Sequence, residues 1–436
     1  MEWTTKINID VINRGMPIEK LDPYPRLNPA LFAALSEGSD KLINMETMGM
    51  PWYMPALAVI ILYLVFYLLH KLYWVIETPG NVRYRLTNFV QQYNIYGNQR
   101  SSRKGLAQYI SSLRQQGLSD NQMALTNFYV CSAIVPATFT PVRDGIVSPD
   151  AVRLALAAGV RYLDISIYGG GAETNYAPFV ATMESGSNWR RITMNQLPLS
   201  AIIDTIVQYG MVGPNAVADI AEAAYSHDPL FIMLRFHGKI RDETFRQTAT
   251  ILSKSIEHFR LDFTYNNARG METLFKTPIT QFMDKIIIMS NVYPPLKNPL
   301  NDYINIGPRG TTPVDMSPKE ILGIPDNNKG TIVGKIQQNL TVSRVEMEEP
   351  DCDKNDWNWK KAHELGIHFA ALNFWSMDSN LAEYRKPNVF GVNSFLLKPA
   401  NLRFTIEYVA PPLLPNPELN ARDGKPNAPP GLIMPQ

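Results

Sequence analysis

Residues 159–171 read GVRYLDISIYGGG. Leu163, Ile165 and Ile167 alternate with Tyr162, Asp164, Ser166 and Tyr168, the period-2 pattern of a strand with one apolar and one polar face. Just upstream, Ser148, Pro149 and Asp150 supply an N-cap, a first-turn proline and a first-turn acid. The apolar run Val152–Ala158 then stops at Gly159, so a short helix feeds the strand. Apolar residues outward and polar residues inward suit a barrel jacketed by helices, with chemistry at its mouth. The plainer alternative is a half-buried strand whose acid is solvated.

Composition narrows the classes. With 436 residues the chain holds one large domain or two medium ones, with ample material for a core. A formal net charge of +1 argues against a nucleic-acid partner. Cys131 and Cys352 form neither a disulfide framework nor a metal-ligand cluster, as fits a reducing compartment. Pro and Asn are frequent near both ends, so irregular tails are expected over 1–50 and over 409–436, the latter Pro-rich and extended.

At Pro51 the composition shifts. PWYMPALAVIILYLVFYLL runs uncharged to Leu69, with Trp52 and Tyr53 at one end and Tyr73 and Trp74 at the other. A membrane helix over 51–76, with aromatic belts at both interfaces, is the expectation. Lys71, Arg83, Arg85, Arg100, Arg103, Lys104 and Arg114 follow it, opposed only by Glu77, which places the C-terminal side in the cytosol. Residues 77–119 read as a basic juxtamembrane connector suited to anionic headgroups, or simply solvated. The sequon Asn339-Leu340-Thr341 would stay bare on this topology.

From about Asn121 strand and helix patterns alternate. Strands are expected at Phe128–Val135, Arg161–Tyr168, Trp189–Met194, Leu230–His237, Lys285–Asn291, Phe369–Phe374 and Ser394–Leu397. Helices are expected up to Gly210, from Pro214 to before Pro229, and over Asp242–Arg260. Between Val292 and Leu340 the signal fades into Pro, Gly and Asn. This rhythm predicts an α/β class and a β/α barrel over 120–408.

GIHFAALNFWSMDSNLAEYRKPNVFGVNSFLLKPANLRF, residues 366–404, resembles the closing segment of the Y half of eukaryotic phosphoinositide-specific phospholipase C, with its ALNF core and LLKP-x-x-LR ending. The opening stretch resembles the X half, with Gly159 and Arg161 in a G-x-R position, and DPLFIMLRFHGK (228–239) is similar to another family strand. The resemblance implies a distorted TIM barrel whose site lies at the C-terminal ends of the strands. It also implies two histidines as general base and acid, a calcium held by oxygen ligands, and cationic and aromatic grips on the inositol phosphates.

Carried onto this sequence, most of that machinery is missing. The first catalytic histidine and the calcium-binding Asn fall on Ile134 and Val135. The second histidine belongs between Arg191 and Gln196, where RITMNQ has none, and no histidine occurs between Lys71 and Ser226. Of the calcium carboxylates one falls on Asp164, but its companions fall on Ser166 and Arg235. The headgroup lysines fall on Met289 and Asn291; the substrate arginine is kept as Arg344, and Glu346 stands where the family has a stacking Tyr. On the strand reading, Asp164 and Arg235 both face inward and are expected to pair.

A non-catalytic, membrane-anchored barrel with no cofactor is therefore expected. Degenerate domains of this kind resemble ones of large DNA viruses that build an inner membrane beneath a capsid. That implies a minor capsid component facing the cytosolic side, with the bilayer and other capsid proteins as partners. The alternatives are a phosphoinositide headgroup-binding module using Arg344 and the connector, and an active phospholipase C with a rearranged site.

Overall fold

The computed structural model describes residues 54, 56–70, 104–139, 145–184, 190–212, 227–266, 271–308, 315–345, 354–376 and 378–405. The chain divides into two units, Met1–Asn81 and Val82–Gln436.

In the first unit residues 56–70 are helical, and their large apolar side chains are exposed on every side; Ile60, Phe66 and Leu68 are 57–63% exposed. Among the described residues no helix is long and apolar enough to cross a membrane. A helix over 56–70 rises roughly 22 Å, short of a hydrocarbon core of about 30 Å. The expected span of 51–76 is thus not shown. Its flanks, with Trp52, Tyr53, Tyr73 and Trp74, lie outside the described residues, as do the two expected tails and the helix expected from Pro214.

The second unit is an α/β barrel. Its strands are β1 (Phe128–Val130), β2 (Ser132–Ile134), β3 (Tyr162–Gly169), β4 (Pro178–Val180), β5 (Met183–Glu184), β6 (Arg190–Arg191), β7 (Leu197–Pro198), β8 (Leu230–Phe236), β9 (Ile286–Ser290), β10 (Asp315–Met316), β11 (Val342–Arg344), β12 (Phe369–Asn373) and β13 (Phe395–Leu397). Parallel ladders run in the order β10–β11–β12–β2–β3–β8–β9, and Met289 makes one further parallel bridge to Ile306. Among the described residues no ladder joins Ile306 to β10.

The alternation in β3 sorts two cores. Leu163, Ile165 and Ile167 pack outward with Leu230, Ile232, Leu234, Ile286, Ile288 and Leu372 under the surrounding helices. Tyr162 faces the interior with Phe231, Met233, Ile287, Met289, Val342 and Phe369. Tyr162 stacks on Phe369 at 4.4 Å, and Phe231 meets Phe369 edge-on at 5.0 Å. Each such side chain contributes roughly 1.5–3 kcal/mol on burial. The interior is therefore filled near the strand starts and leaves its polar positions near the strand ends.

Helix α2 (Pro149–Ala157) is capped by Ser148, whose side chain accepts the Asp150 N–H, as the sequence predicts. Gly159 takes φ +92° between α2 and β3, a left-handed turn that glycine adopts without a Cβ clash. Arg161 is fully buried and donates from Nη1 to the Gly210 carbonyl at 3.0 Å, just beyond helix α3 (Leu199–Val207).

Several boundaries differ from expectation. The single strand expected over Phe128–Val135 is two, because β1 pairs antiparallel with β13 while β2 pairs parallel with β12 and β3. Arg190–Arg191 makes only a two-residue hairpin with β5, outside the barrel ladder. The helix expected over Asp242–Arg260 ends at Ser255 as α4 and continues as a 3-10 turn. Part of the expected basic connector is structural. Helix α1 (Leu106–Gln115) buries Leu106, Ile110 and Leu113, an i, i+4, i+7 stripe, in the interior core. Asn339 of the sequon is 7% exposed and donates to the Lys335 carbonyl, so burial alone closes it to modification.

Candidate functional site

The polar inward positions of β3, β8, β10 and β11 meet at the strand ends. In the β3–β8 ladder Ser166 is opposite Arg235, so the longer guanidinium reaches back to Asp164. Arg235 donates from Nε to Asp164 Oδ1 at 2.9 Å and from Nη2 to Oδ2 at 2.7 Å, a two-pronged carboxylate–guanidinium pair. Its third nitrogen, Nη1, binds the carboxylate of Asp315 on β10. Arg344 on β11 brings its Nε to 3.7 Å from Asp164 Oδ2. The Asp164 and Arg235 side chains are 3% and 4% exposed, so the pair is shielded, whereas Asp315 is 40% exposed.

Two carboxylates thus face two guanidiniums, and formal charge cancels. Burial alone would raise the pKa of Asp164, but Arg235 and then Arg344 outweigh it and hold the carboxyl below its usual range. Burial would lower that of Arg235, yet Asp164 and Asp315 push it well up. Tyr162, beneath the pair, is raised well above its usual value by burial and then by the charge of Asp164.

His237, just past β8, places Nε2 3.2 Å from Ser166 Oγ and stacks on Tyr168 at 5.1 Å. Burial, then Arg344 and Arg235, push its pKa down to about 4. At neutral pH this imidazole is uncharged and a weak base, far from the matched pKa that proton transfer favours. Among the described residues of this unit it is the one histidine that joins the cluster. His227 is exposed and pairs with Asp284, His258 is exposed, His70 lies in the first unit, and half-buried His363 and buried His368 lie beside Lys398.

The other singled-out positions take structural roles. Ile134 and Val135 are buried in the interior core. Val135 has φ +38°, a costly conformation for a β-branched residue, at the position where the resemblance places an Asn that adopts it readily. In 191–196, Asn195 clips Val147 through both backbone groups, at 2.8 and 2.9 Å. Met289 is fully buried. Asn291 accepts the Phe236 N–H at 2.8 Å and donates to its carbonyl at 3.0 Å, extending the β8–β9 ladder by a side chain. Glu346 and the Arg191 side chain lie outside the described residues.

Calcium does not fit this arrangement. Both oxygens of Asp164 are occupied by Arg235, and a guanidinium stands where another oxygen ligand is needed. Among the described residues no group of three or more His, Cys, Asp or Glu is placed to hold a metal ion. Through these contacts Arg235 on β8 ties β3 and β10 together. Sequence reading missed Asp315, because β10 is only two residues long and follows a stretch without periodicity. The one local signal was Ser317–Glu320, a capping box that starts a helix right after it.

No protein-family model and no curated protein matches the sequence. Among solved structures the chain is similar to L. pealei PLC21, at 15% identity and TM-score 0.50, covering 64% of this chain and 38% of that one. S. officinalis PLC21 matches at 14% identity and TM-score 0.48, over 65% of this chain and 38% of that one. A calcium-dependent phosphoinositol-specific phospholipase C from Pseudomonas sp matches at 10% identity and TM-score 0.38, over 64% and 96%. The chain spans well under half the length of the two PLC21 chains. Likeness at this identity shows the fold alone, and the fold is phospholipase C-like α/β.

Proposed function

We propose that this is a membrane-anchored, non-catalytic phospholipase C-like protein that serves as a structural component, in a viral particle between an inner membrane and the capsid. The observation that carries the non-catalytic part is the Arg235 guanidinium seated on Asp164. It fills with protein charge the place where the family's chemistry requires a dication, and among the described residues of this unit one histidine, His237, reaches the cluster. Losing a general acid or base costs roughly 10²–10⁴-fold, and losing a metal removes the main charge stabilisation as well. The anchoring part is supported by the apolar helix over 56–70, exposed on all sides, and by the basic residues that follow it. The viral placement rests on sequence resemblance.

Incubation of the purified protein with phosphatidylinositol bisphosphate and calcium is expected to release no inositol phosphate above background, and calcium is expected to leave thermal stability unchanged. Calcium-dependent turnover would falsify the non-catalytic reading. In membrane vesicles the barrel is expected to be protease-accessible from the cytosolic side. Extraction by alkaline carbonate, which strips peripheral proteins, would remove the anchor from the proposal. A headgroup-binding module is the second reading; Arg344 carries it, but that side chain is 12% exposed and turned toward Asp164. Flotation with bisphosphate-containing vesicles that is lost in Arg344→Ala would favour it.

A further inference from the structure

Lys398, immediately after β13, is fully buried, and so is His368 at the head of β12. Lys398 Nζ lies 2.7 Å from His368 Nε2. The same Nε2 is 2.8 Å from the Thr126 carbonyl, while Nδ1 accepts the Thr341 backbone N–H at 3.2 Å. These contacts fix the proton count. A ring nitrogen that accepts an N–H carries no proton, so the neutral ring bears its proton on Nε2. Nε2–H can donate to Thr126, and to Lys398 only if that nitrogen offers a lone pair. An ammonium has three donors and no acceptor, so a charged Lys398 sets N–H against N–H. A neutral amine fits.

The surroundings agree. The Tyr129 ring of β1 lies 5.6 Å from Nζ. His363, from helix Trp359–Glu364, stacks on that ring at 4.1 Å. Burial and then Lys398 push the His363 pKa down to about 3. Arg403 donates to the Lys398 carbonyl, and the Lys398 N–H donates to the Asn127 carbonyl. Among the described residues no carboxylate pairs with Lys398. Burial lowers its pKa far below the usual range, and burial followed by Lys398 does the same to His368.

We propose that Lys398 and His368 form an uncharged amine–imidazole latch that holds β13 against β1 at neutral pH and releases it when acid protonates the pair. The latch sits where a small loss of contact frees a segment. β13 is three residues long and among the described residues forms a ladder with β1 alone, and the 3-10 turn Ala400–Leu402 follows it. Protonation leaves a cation with no counter-ion, and the route to water is for Lys398 and its segment to swing out. That uncovers Phe395 and the edge of β1, an unpaired strand open to another chain. The latch rests on the barrel fold and not on the proposed structural role, so either can fail without the other.

Hydrogen exchange on the full-length protein in detergent tests it, with rates corrected for their intrinsic pH dependence. Residues 395–402 are expected to exchange on the order of tenfold faster or more at about pH 5 than at about pH 8. In Lys398→Met the corrected rates are expected to be equal at both. Nitrogen NMR of the Lys398 side chain is expected to show a neutral amine at about pH 8. A lysine that titrates near its ordinary value of about 10.4, or wild-type exchange that does not respond to acid, overturns the proposal. The wild-type spectrum decides alone should the variant not fold.

Discussion

At the barrel mouth Arg235 is buried between two carboxylates with a second guanidinium alongside, whereas at the end of β13 Lys398 is buried against an imidazole and a tyrosine ring, with no carboxylate paired to it among the described residues. The two cations differ in what burial can do to them. A guanidinium stays protonated in any protein, so its burial demands acids, and Asp164 and Asp315 supply them. An amine can shed its proton, so Lys398 can be housed dry and neutral. The same low-dielectric interior therefore locks one site in its charged form and leaves the other poised to respond to pH.

The largest effect should come from breaking the balance at the mouth. Arg235→Met is expected to destabilise the protein by about 3–5 kcal/mol, because Asp164 is left buried and unpaired. Chemical denaturation measures this, and Arg235→Met with Asp164→Leu is expected to recover most of the loss. A single variant as stable as wild type would show that the pair carries no strain when broken.

Lys398→Met should do the reverse and stabilise. The folded pKa lies below the unfolded one, so the lysine's full stability is present only above about pH 10.4 and is lost as pH falls. Wild type should therefore close on the variant by about 1.4 kcal/mol per pH unit as pH rises through that window. Parallel stability–pH curves would contradict the neutral-amine state.

Asp228 offers a third burial with the opposite sign. It accepts the Leu106 N–H at 2.9 Å with Oδ1, and its Oδ2 is buried without a hydrogen-bond partner. Burial raises its pKa to about 6, against the pull of Arg161 and of that N–H. A raised carboxyl contributes stability below its unfolded value that is lost as pH rises through the folded one. Asp228→Asn is thus expected to stabilise by about 1–3 kcal/mol above pH 6 and by little below about pH 4. Asn291→Ala should cost the least, about 1–2 kcal/mol for the two backbone hydrogen bonds of its clip. It should leave the pH dependence untouched, which separates packing from charge.

Legibility followed periodicity and length. The strands at Leu230–Phe236 and Ile286–Ser290 and the cap at Ser148 were readable because each is a local pattern of adequate length. Period-2 alternation on two strands turned Asp164 and Arg235 inward, and the resemblance, which implies that the two positions converge, supplied their pairing. Asp315 was not readable, since two residues have no period. Nor was the division of 128–134 at Cys131, where one largely apolar run pairs with β13 through its first half and with β12 and β3 through its second.

The sequence by itself determined which faces of the longer strands are apolar, the cap at Ser148 and the residue types the chain carries at each position, because these depend on residue type and near-neighbour spacing. It also determined that position 235 carries a cation, where the resemblance implies a carboxylate. Only the tertiary structure decided the charge states. Whether Arg235 finds a second acid, whether His237 is a usable base, and whether Lys398 keeps its proton depend on which distant groups share a dry volume. Asp164 and Arg235 are 71 positions apart, His368 and Thr126 242, and neither separation carries a local signal. Desolvation and Coulomb energy act through space, and space is set by the parallel ladders that bring these strands together.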